Sequence, residues 1–266
     1  VTGGNTGIGK YTARVLYQQG CNVIIACRNT EKAEAAKQDI IDAVKDAASK
    51  GASIDVYKLD LSSLQSVREF ATTVRDKYSS LNYVINNAGI MALPEYKAST
   101  EGYELQFAVC HLGHFYLIQL LMPTIIASKG RVICVASGAH ADVTYDYFSE
   151  TFLNKGLKQK DGPTRADYHF WRNYAIAKAC NVLHARELHR RYGAQGITTC
   201  SLHPGLVTGT ELGREGGMGS MGCSDSLTFM KDYGNLSWAL DNAKQIPLGA
   251  ATSLRCVSLS DGEICS

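Results

Sequence analysis

Short apolar segments alternate with longer helix-forming segments along this chain, and that alternation constrains its fold more than any other feature. Apolar or β-branched runs, each the length of one strand, lie at 22–27, 54–59, 83–86, 131–135 and 196–202. Segments of helix-favouring composition run from the first glycines to residue 19 and over 30–50, 62–78, 100–128, 173–192 and 247–258. This spacing predicts a parallel sheet covered by helices on both faces. We expect an α/β, doubly wound fold of the Rossmann type, formed by one domain over residues 1–266.

A glycine-rich loop opens the chain directly after Val1, which has the character of the last residue of a strand. We therefore expect further chain before Val1 that supplies this strand. Residues 4–10 are close to the GxxxxGK[ST] loop of nucleoside triphosphatases, but Tyr11 stands where that loop needs a magnesium-binding hydroxyl. A dinucleotide loop fits better, because glycines let the backbone approach a pyrophosphate at the N-terminus of the following helix. A glycine-rich turn without a ligand is the alternative.

The strand at 22–27 ends without a carboxylate. In dinucleotide-binding folds an acidic residue at about this distance from the loop binds the ribose 2′-hydroxyl. Arg28 occupies that place here. A guanidinium can hold a phosphate through two hydrogen bonds, so Arg28 favours NADP(H) over NAD(H). The alternative is a surface arginine that merely precedes a helix.

Tyr174 and Lys178 are four residues apart in a helix-forming segment, so their side chains share one face of the helix. A free tyrosine titrates near pH ~10, too high for proton exchange at neutrality. A neighbouring ammonium stabilises the phenolate by up to ~3 pK units before desolvation opposes it. The pair predicts a general acid/base, although an ordinary exposed Tyr and Lys is the more frequent meaning of the spacing alone.

Composition narrows the possible partners and compartments. A net charge of +2 with 20% charged residues gives no reason to expect a nucleic-acid partner. The nine cysteines lack CxxC spacing and several lie in apolar segments, which predicts free thiols in a reducing compartment and no metal site. No apolar run approaches 20 residues. We expect a monomer or homodimer in the cytoplasm or on the cytosolic face of a membrane, with membrane contact only through residues before Val1.

Taken together, the motifs resemble those of the short-chain dehydrogenases/reductases over nearly the whole chain. The TGxxxGxG loop at 2–9 is followed in family order by Asp60-Leu61, Asn86-Asn87-Ala88-Gly89, Ser137, Tyr174-xxx-Lys178 and Pro204-Gly205. The segments HLGHF at 111–115 and ELHRRY at 187–192 are similar to the branch of retinol dehydrogenases and protochlorophyllide reductases. The region before Tyr174 looks most like the oxidoreductase domain of the WW-domain-containing oxidoreductase.

The resemblance implies three catalytic residues. Tyr174 would exchange a proton with the substrate oxygen, and Lys178 would lower the pKa of Tyr174 and bind the nicotinamide ribose. Ser137 would donate a hydrogen bond to the reacting oxygen, where charge develops.

The resemblance also implies a set of residues that bind the cofactor. Asp60 would hold the adenine amino group, Asn87 and Gly89 would line the riboses, and one of two threonines would bind the carboxamide. The full set is Gly3, Asn5, Thr6, Gly7, Ile8, Gly9, Arg28, Asp60, Leu61, Asn87, Ala88, Gly89, Lys178, Pro204, Gly205, Val207, Thr208 and Thr210.

One position departs from the family pattern. An asparagine usually precedes the HLGH segment and supports a water chain that relays protons to the lysine, but this chain has Cys110. A thiol is a weak donor and a weak acceptor, so it is a poor substitute for a carboxamide. We expect reduced but nonzero activity.

Several other residues and segments give weaker indications of their roles. His111 and His114 lie three apart on a helix, but without a third ligand we expect them to make core and helix contacts. The segment 205–245 is expected to form a lid over the substrate. An apolar pocket could come from Tyr145, Tyr147, Phe148, Phe152, Met218, Met221 and Phe229, which could equally belong to the core.

The sequence thus favours an NADP(H)-dependent oxidoreductase that acts on an apolar alcohol or carbonyl of the retinoid, steroid or lipid-aldehyde type. Because of Cys110, a second hypothesis is a cofactor-binding interaction module with weak activity. A third is a reductase of the protochlorophyllide type.

Overall fold

Five parallel strands alternate with helices in the computed structural model, which describes residues 1–144, 168–213 and 243–260. The strands are β1 (Val23–Cys27), β2 (Ile54–Lys58), β3 (Tyr83–Asn86), β4 (Arg131–Val135) and β5 (Thr198–Leu202). The helices are α1 (Gly7–Gln18), α2 (Thr30–Ala43), α3 (Leu64–Lys77), α4 (Leu105–Ala127), α5 (Phe170–Tyr192) and α6 (Ile246–Ser258). The predicted α/β architecture is confirmed.

Residues 1–3 join two parts of the sheet. Strand β1 pairs with β2, and β3 pairs with β4, which pairs with β5. Thr2 forms a parallel bridge with Ala26 of β1, and its N–H donates to the carbonyl of Ile85 of β3 at 3.0 Å. The spatial order is therefore β2, β1, residues 1–2, β3, β4 and β5. The chain winds to one side of residues 1–2 and then to the other, and a ligand crevice forms at such a reversal.

Both faces of the sheet are buried, as a parallel sheet requires. Successive side chains of a strand point to opposite faces, so Val84 and Val132 pack with helices α3 and α4 while Ile85 and Ile133 pack with α1 and α2. All five residues of β4 are buried. This central strand and its neighbours therefore fix the positions of the loops at their carboxyl ends.

Two predicted helices are shorter than expected. The helix predicted at 100–128 begins at Leu105, because Glu104 pairs with Ala98 in an antiparallel bridge and its carboxylate accepts from the N–H groups of Gln106 and Phe107. The helix predicted at 30–50 ends at Ala43, because the chain leaves the helical conformation at Val44 and buries that side chain in the core.

Helix α4 is the most apolar helix among the described residues. By length and composition it could cross a membrane, because its most apolar 18-residue stretch has a mean hydropathy of 1.5. Half of that stretch is buried in the domain. Its residues Ala108–Leu112 form a π-helical segment. Such bulges change the direction of side chains and carbonyls within a helix.

The guanidinium of Arg131 caps the C-terminal end of α6, and we expect this cap to stabilise the protein. It donates to the carbonyls of Cys256, Val257 and Leu259 at 2.6, 3.1 and 2.8 Å, and these are carbonyls that a helix leaves without partners. Arg131→Ala should lower the free energy of unfolding by about 2–3 kcal/mol, because a charged donor is lost and the carbonyls remain. Urea unfolding would measure this change.

Arg131→Lys should lose less, since a lysine keeps the charge but cannot span three carbonyls. The exposed Arg75 of α3 is the control, and Arg75→Ala should change stability by less than about 0.5 kcal/mol. Equal effects of the Arg131 and Arg75 alanine variants would contradict the capping role.

Candidate active site

A cavity of about 760 Å³ opens at the carboxyl ends of the strands and brings nearly all the predicted site residues together. Its lining includes every predicted cofactor residue of the glycine loop, the three predicted catalytic residues and every other predicted cofactor residue except Thr208. Thr208 is instead bonded to the carbonyl of Lys244 through both its N–H and its hydroxyl. Of the two candidate threonines, only Thr210 lines the cavity.

The glycine loop has the close backbone approach that its sequence predicts. A Cβ on Gly9 would lie 2.4 Å from the carbonyl oxygen of Gly3 and 2.5 Å from Nδ2 of Asn87. Gly3 and Gly7 have φ of +64° and +54°, a conformation that residues with side chains rarely adopt. Larger residues at these positions would displace the loop from the crevice.

The N-terminus of α1 is suited to an anion. Thr6 is the N-cap residue, yet its side chain makes no capping hydrogen bond, and the first turn has no acidic residue. The backbone N–H groups at this end carry partial positive charge, and residues 5–9 line the cavity. The loop therefore fits a pyrophosphate, which is consistent with the predicted dinucleotide site.

Thr2 and Asn87 fasten the loop to the end of β3. The hydroxyl of Thr2 accepts from the N–H groups of Asn87 and Ala88 at 3.0 Å each, and Nδ2 of Asn87 donates to the carbonyl of Thr2 at 2.9 Å. Nε2 of His114 lies 2.8 Å from the same hydroxyl. His114 is thus a core contact, as predicted for it.

Two basic residues lie at the rim beyond β1. Arg28 follows the strand, as predicted, and Lys32 in the first turn of α2 also lines the cavity. Asn29 caps that turn by accepting from the N–H of Lys32 at 2.8 Å. Sequence reasoning missed Lys32, although a basic residue in the first turn of the helix predicted from residue 30, directly after Arg28, was a usable signal.

Asp60 and Leu61 form the wall next to these basic residues. One carboxylate oxygen of Asp60 accepts from the N–H and the hydroxyl of Ser62 at 2.9 and 2.6 Å. Leu61 is buried against helix α4, where a Cβ on Gly113 would lie 2.6 Å from the carbonyl oxygen of Leu61. Gly113 therefore allows α4 to approach the cavity.

Tyr174 and Lys178 face the cavity from α5, and Ser137 faces it from the end of β4. The ammonium of Lys178 lies 5.5 Å from the centroid of the Tyr174 ring and donates to the carbonyl of Val135 at 3.0 Å. Ser137 lies close enough to Tyr174 to lower the pKa of its phenol. The three side chains meet, as the sequence predicts.

The expected net acidification of Tyr174 is not found in this structure. Burial raises the pKa of Tyr174 above its usual value, and this effect exceeds the opposing contributions of Lys178 and Ser137. The reason is that only 2% of Tyr174 is exposed, so the phenolate would lose most of its hydration. Burial therefore favours the protonated phenol.

Cys110 lies in the π-helical segment, fully buried beside the predicted catalytic residues. Its thiol donates to the carbonyl of Ile90 at 3.2 Å, and burial raises its pKa. A Cβ on Gly89 would lie 3.4 Å from this sulfur and 3.5 Å from Nζ of Lys178. Position 110 thus approaches the lysine with a group that is a poor proton carrier.

Much of the remaining wall is apolar, although His203 and Glu211 also line the cavity. Leu105 and Val109 line it from one face of α4, and their spacing of four residues could have revealed them in the sequence. Met91, Trp171 and Leu212 complete it, with the Trp171 ring 5.9 Å from the Tyr174 ring. The predicted aromatic and methionine pocket, and most of the predicted lid at 205–245, fall outside the described residues.

Comparison with known proteins shows the family of the chain. A model of the short chain dehydrogenase family matches residues 1–147. Human retinol dehydrogenase 13 is 37% identical over 256 residues, which cover 96% of this chain and 70% of that protein. The WW domain-containing oxidoreductase of Drosophila melanogaster is 39% identical over 214 residues, which cover 80% of this chain and 50% of that protein.

A solved structure shares the fold. A short-chain dehydrogenase from Sphingobium yanoikuyae, in complex with NADPH, superposes with a TM-score of 0.67 at 16% identity, covering 96% of this chain and 81% of that one. The matched family model and the relatives above identify the chain as a short-chain dehydrogenase/reductase, an oxidoreductase of the branch that includes the retinol dehydrogenases and the WW domain-containing oxidoreductase.

Proposed function

We propose that this protein is an NADP(H)-dependent oxidoreductase acting on an apolar alcohol or carbonyl compound of the retinoid, steroid or lipid-aldehyde type. The observation that carries the proposal is the single cavity in which Tyr174, Ser137 and Lys178 lie between a phosphate-binding loop and an apolar wall. Bound NADP(H) would supply the hydride acceptor or donor. The chain's own residues then account for binding, orientation and proton transfer.

Proton transfer is assigned to Tyr174. In carbonyl reduction its protonated hydroxyl donates to the substrate oxygen, and in alcohol oxidation the phenolate accepts the proton. Ser137 donates a hydrogen bond that stabilises negative charge on the same oxygen. The Lys178 ammonium stabilises the phenolate by charge, while the Val135 carbonyl holds that ammonium in place.

The phosphate preference is assigned to Arg28 and Lys32. Both line the cavity beyond β1, and there is no carboxylate at the end of that strand to bind a ribose 2′-hydroxyl. A 2′-phosphate there would gain two positive partners. The NADPH complex of the Sphingobium yanoikuyae dehydrogenase supports a cofactor of this kind.

An apolar substrate is favoured by the wall opposite the glycine loop. Leu105, Val109 and Met91 offer few polar groups, and Trp171 adds an aromatic surface next to Tyr174. Such a surface binds an apolar chain or ring through area removed from water. The name of human retinol dehydrogenase 13, a 37% identical relative, agrees with this class.

A second candidate is an interaction module that binds the cofactor but turns over slowly. Cys110 favours it, because a buried thiol next to Lys178 replaces the family's carboxamide. The two candidate functions predict different turnover rates, but both predict that the protein binds NADPH.

Replacing the proposed acid tests the chemistry. Tyr174→Phe should lower kcat for NADPH-dependent reduction of apolar aldehydes by about 10²–10⁴-fold, because the proton donor is lost. NADPH binding, followed by its fluorescence, should persist. Tyr116→Phe on α4 is the matched control, since Tyr116 lies outside the cavity lining and bonds with Arg68. A Tyr174→Phe enzyme with normal turnover would exclude Tyr174 as the acid.

Cofactor preference provides a separate test. Arg28→Ala should raise the KM for NADPH by about 10–100-fold, since a charge-assisted phosphate contact is lost, and should leave the KM for NADH nearly unchanged. Lys32→Ala should act in the same direction with a smaller effect. Lys58→Ala is the control, because Lys58 is exposed at the end of β2 and lies outside this cavity's lining. Equal losses for both cofactors would refute a phosphate site at Arg28.

Restoring the family carboxamide tests the meaning of Cys110. Cys110→Asn should raise kcat at unchanged NADPH affinity, because a carboxamide can both donate and accept where the thiol does neither well. Cys110→Ser is the control for size and for loss of the thiol, and it should raise kcat less. Steady-state kinetics with one aldehyde substrate would measure both. Unchanged turnover in Cys110→Asn would show that position 110 does not limit the rate.

A further inference from the structure

Asn181 is a buried carboxamide next to the proposed catalytic pair. It follows Tyr174 and Lys178 on the same face of α5, at positions seven and three residues later, and only 3% of it is exposed. It belongs neither to the Tyr174-xxx-Lys178 motif nor to the cavity lining. Its contacts nevertheless reach the backbone groups that hold Lys178.

Asn181 shares a carbonyl with Lys178. Its Nδ2 donates to the carbonyl of Val135 at 3.2 Å, and the Lys178 ammonium donates to the same oxygen at 3.0 Å. Nδ2 also donates to the carbonyl of Cys110 at 3.1 Å. One side chain thus connects the end of β4 and the π-helical segment of α4 at the point where Lys178 is anchored.

The orientation of this carboxamide is determined by its partners. Two carbonyls can only accept, so Nδ2 must face them and Oδ1 must face Nδ1 of His111, 3.0 Å away. His111 then carries its proton on Nδ1 and donates it. Burial lowers the pKa of His111 to about 4, so the ring is neutral near pH 7 and suited to this role.

The π-helical segment makes the Cys110 carbonyl available. That oxygen accepts from the side chain of Asn181 and lies 3.2 Å from Nδ1 of His114. The Cys110 thiol turns away to the carbonyl of Ile90. The carboxamide next to Lys178 is therefore supplied by α5, while the side chain at position 110 supplies none.

We propose that Asn181 is a positioning residue, which holds the Lys178 ammonium beside Tyr174 by bridging the carbonyls of Val135 and Cys110. The proposal rests on the proposed function for its catalytic consequence, and it rests on the hydrogen bonds alone for the placement of Lys178. In this proposal Asn181 performs part of the role of the asparagine that usually occupies position 110 in the family.

Few other groups near Tyr174 and Lys178 change charge close to neutral pH. From α4, Cys110 has a raised pKa and His114 a pKa lowered to about 3, and from β4, Cys134 has a pKa raised to about 12. Glu104 lies before α4, acts on Cys110, and has a pKa raised to about 7 by burial. His203 also lines the cavity, and burial lowers its pKa. A change near pH 7 would therefore report Glu104. Because the Cys110 and Cys134 thiols also titrate on the alkaline side, an alkaline change is assigned to Tyr174 by its loss in Tyr174→Phe.

Two substitutions test the role. Asn181→Ala removes the bridge, so the alkaline limb of the kcat profile should move up by about 0.5–1 pH unit as the phenolate loses part of its stabilisation. Asn181→Asp keeps the shape but puts a carboxylate against Lys178, so it should move the limb further up. In both variants kcat at pH 7 should fall by about tenfold or more.

Thr199→Val is the matched control for stability. The hydroxyl of Thr199 in β5 is buried and donates to the carbonyl of Ala185 on α5, the helix that carries Asn181. Thr199 is not in the cavity lining. This variant should lower the melting temperature as the Asn181 variants do, with the alkaline limb unmoved. If Asn181→Ala lowers the melting temperature without shifting the limb, Asn181 is only structural and the proposal fails.

A second readout separates this proposal from the proposed function. The pKa of Tyr174 can be measured without turnover, from tyrosinate absorbance after a rapid pH jump, with Tyr174→Phe identifying its contribution. An upward shift in Asn181→Ala, which removes the bridge without adding a charge, supports the positioning role even if the wild type reduces no tested aldehyde. Active wild type with no shift in either readout refutes the positioning role and leaves the proposed function intact.

Discussion

The hydrogen bonds of residues 1–3 join the two parts of the sheet, and the rest of the site depends on them. Val1 and Gly3 bond with β1, while Thr2 bonds with β3 and with the turn that follows it. The glycine loop therefore starts in the crevice where the winding direction reverses. Because the backbone of Gly3 lies against Ala88 and that of Gly9 against Asn87, no side chain separates the loop from the strand ends. A pyrophosphate could then reach the N–H groups of α1.

Burial and charge oppose each other at Tyr174. The surrounding protein buries the phenol, which disfavours the phenolate, and the positive charge of Lys178 partly offsets this effect. The lysine is itself buried, so its ammonium depends on the Val135 carbonyl for hydrogen bonding. Small displacements of that carbonyl would change the balance. For this reason the contacts of β4 with α4 and α5 matter as much as the helical spacing of Tyr174 and Lys178.

Helix α6, in the last part of the described chain, packs against the glycine loop. Its Gly249 lies against Val207 and Ile8, both of which line the cavity, and a Cβ there would lie 2.5 Å from Val207. Arg131 holds the other end of α6 through three carbonyls. The core strand β4 therefore positions Ser137 at its carboxyl end and stabilises, at its first residue, a helix that packs on the cofactor side.

The sequence by itself determined the alternation of strands and helices, the glycine positions and about half of the residues that line the cavity, including the three predicted catalytic residues. These follow from local periodicity and from backbone restrictions that act within a few residues. It did not determine where the helices near residues 44 and 104 begin and end, because the burial of Val44 and the capping by Glu104 depend on distant partners. Only the tertiary structure separated Thr210 from Thr208, added Lys32 and connected Asn181 to Lys178. It also reversed the expected pKa of Tyr174, because desolvation depends on every atom packed around the phenol, and helical spacing contains no information about those atoms.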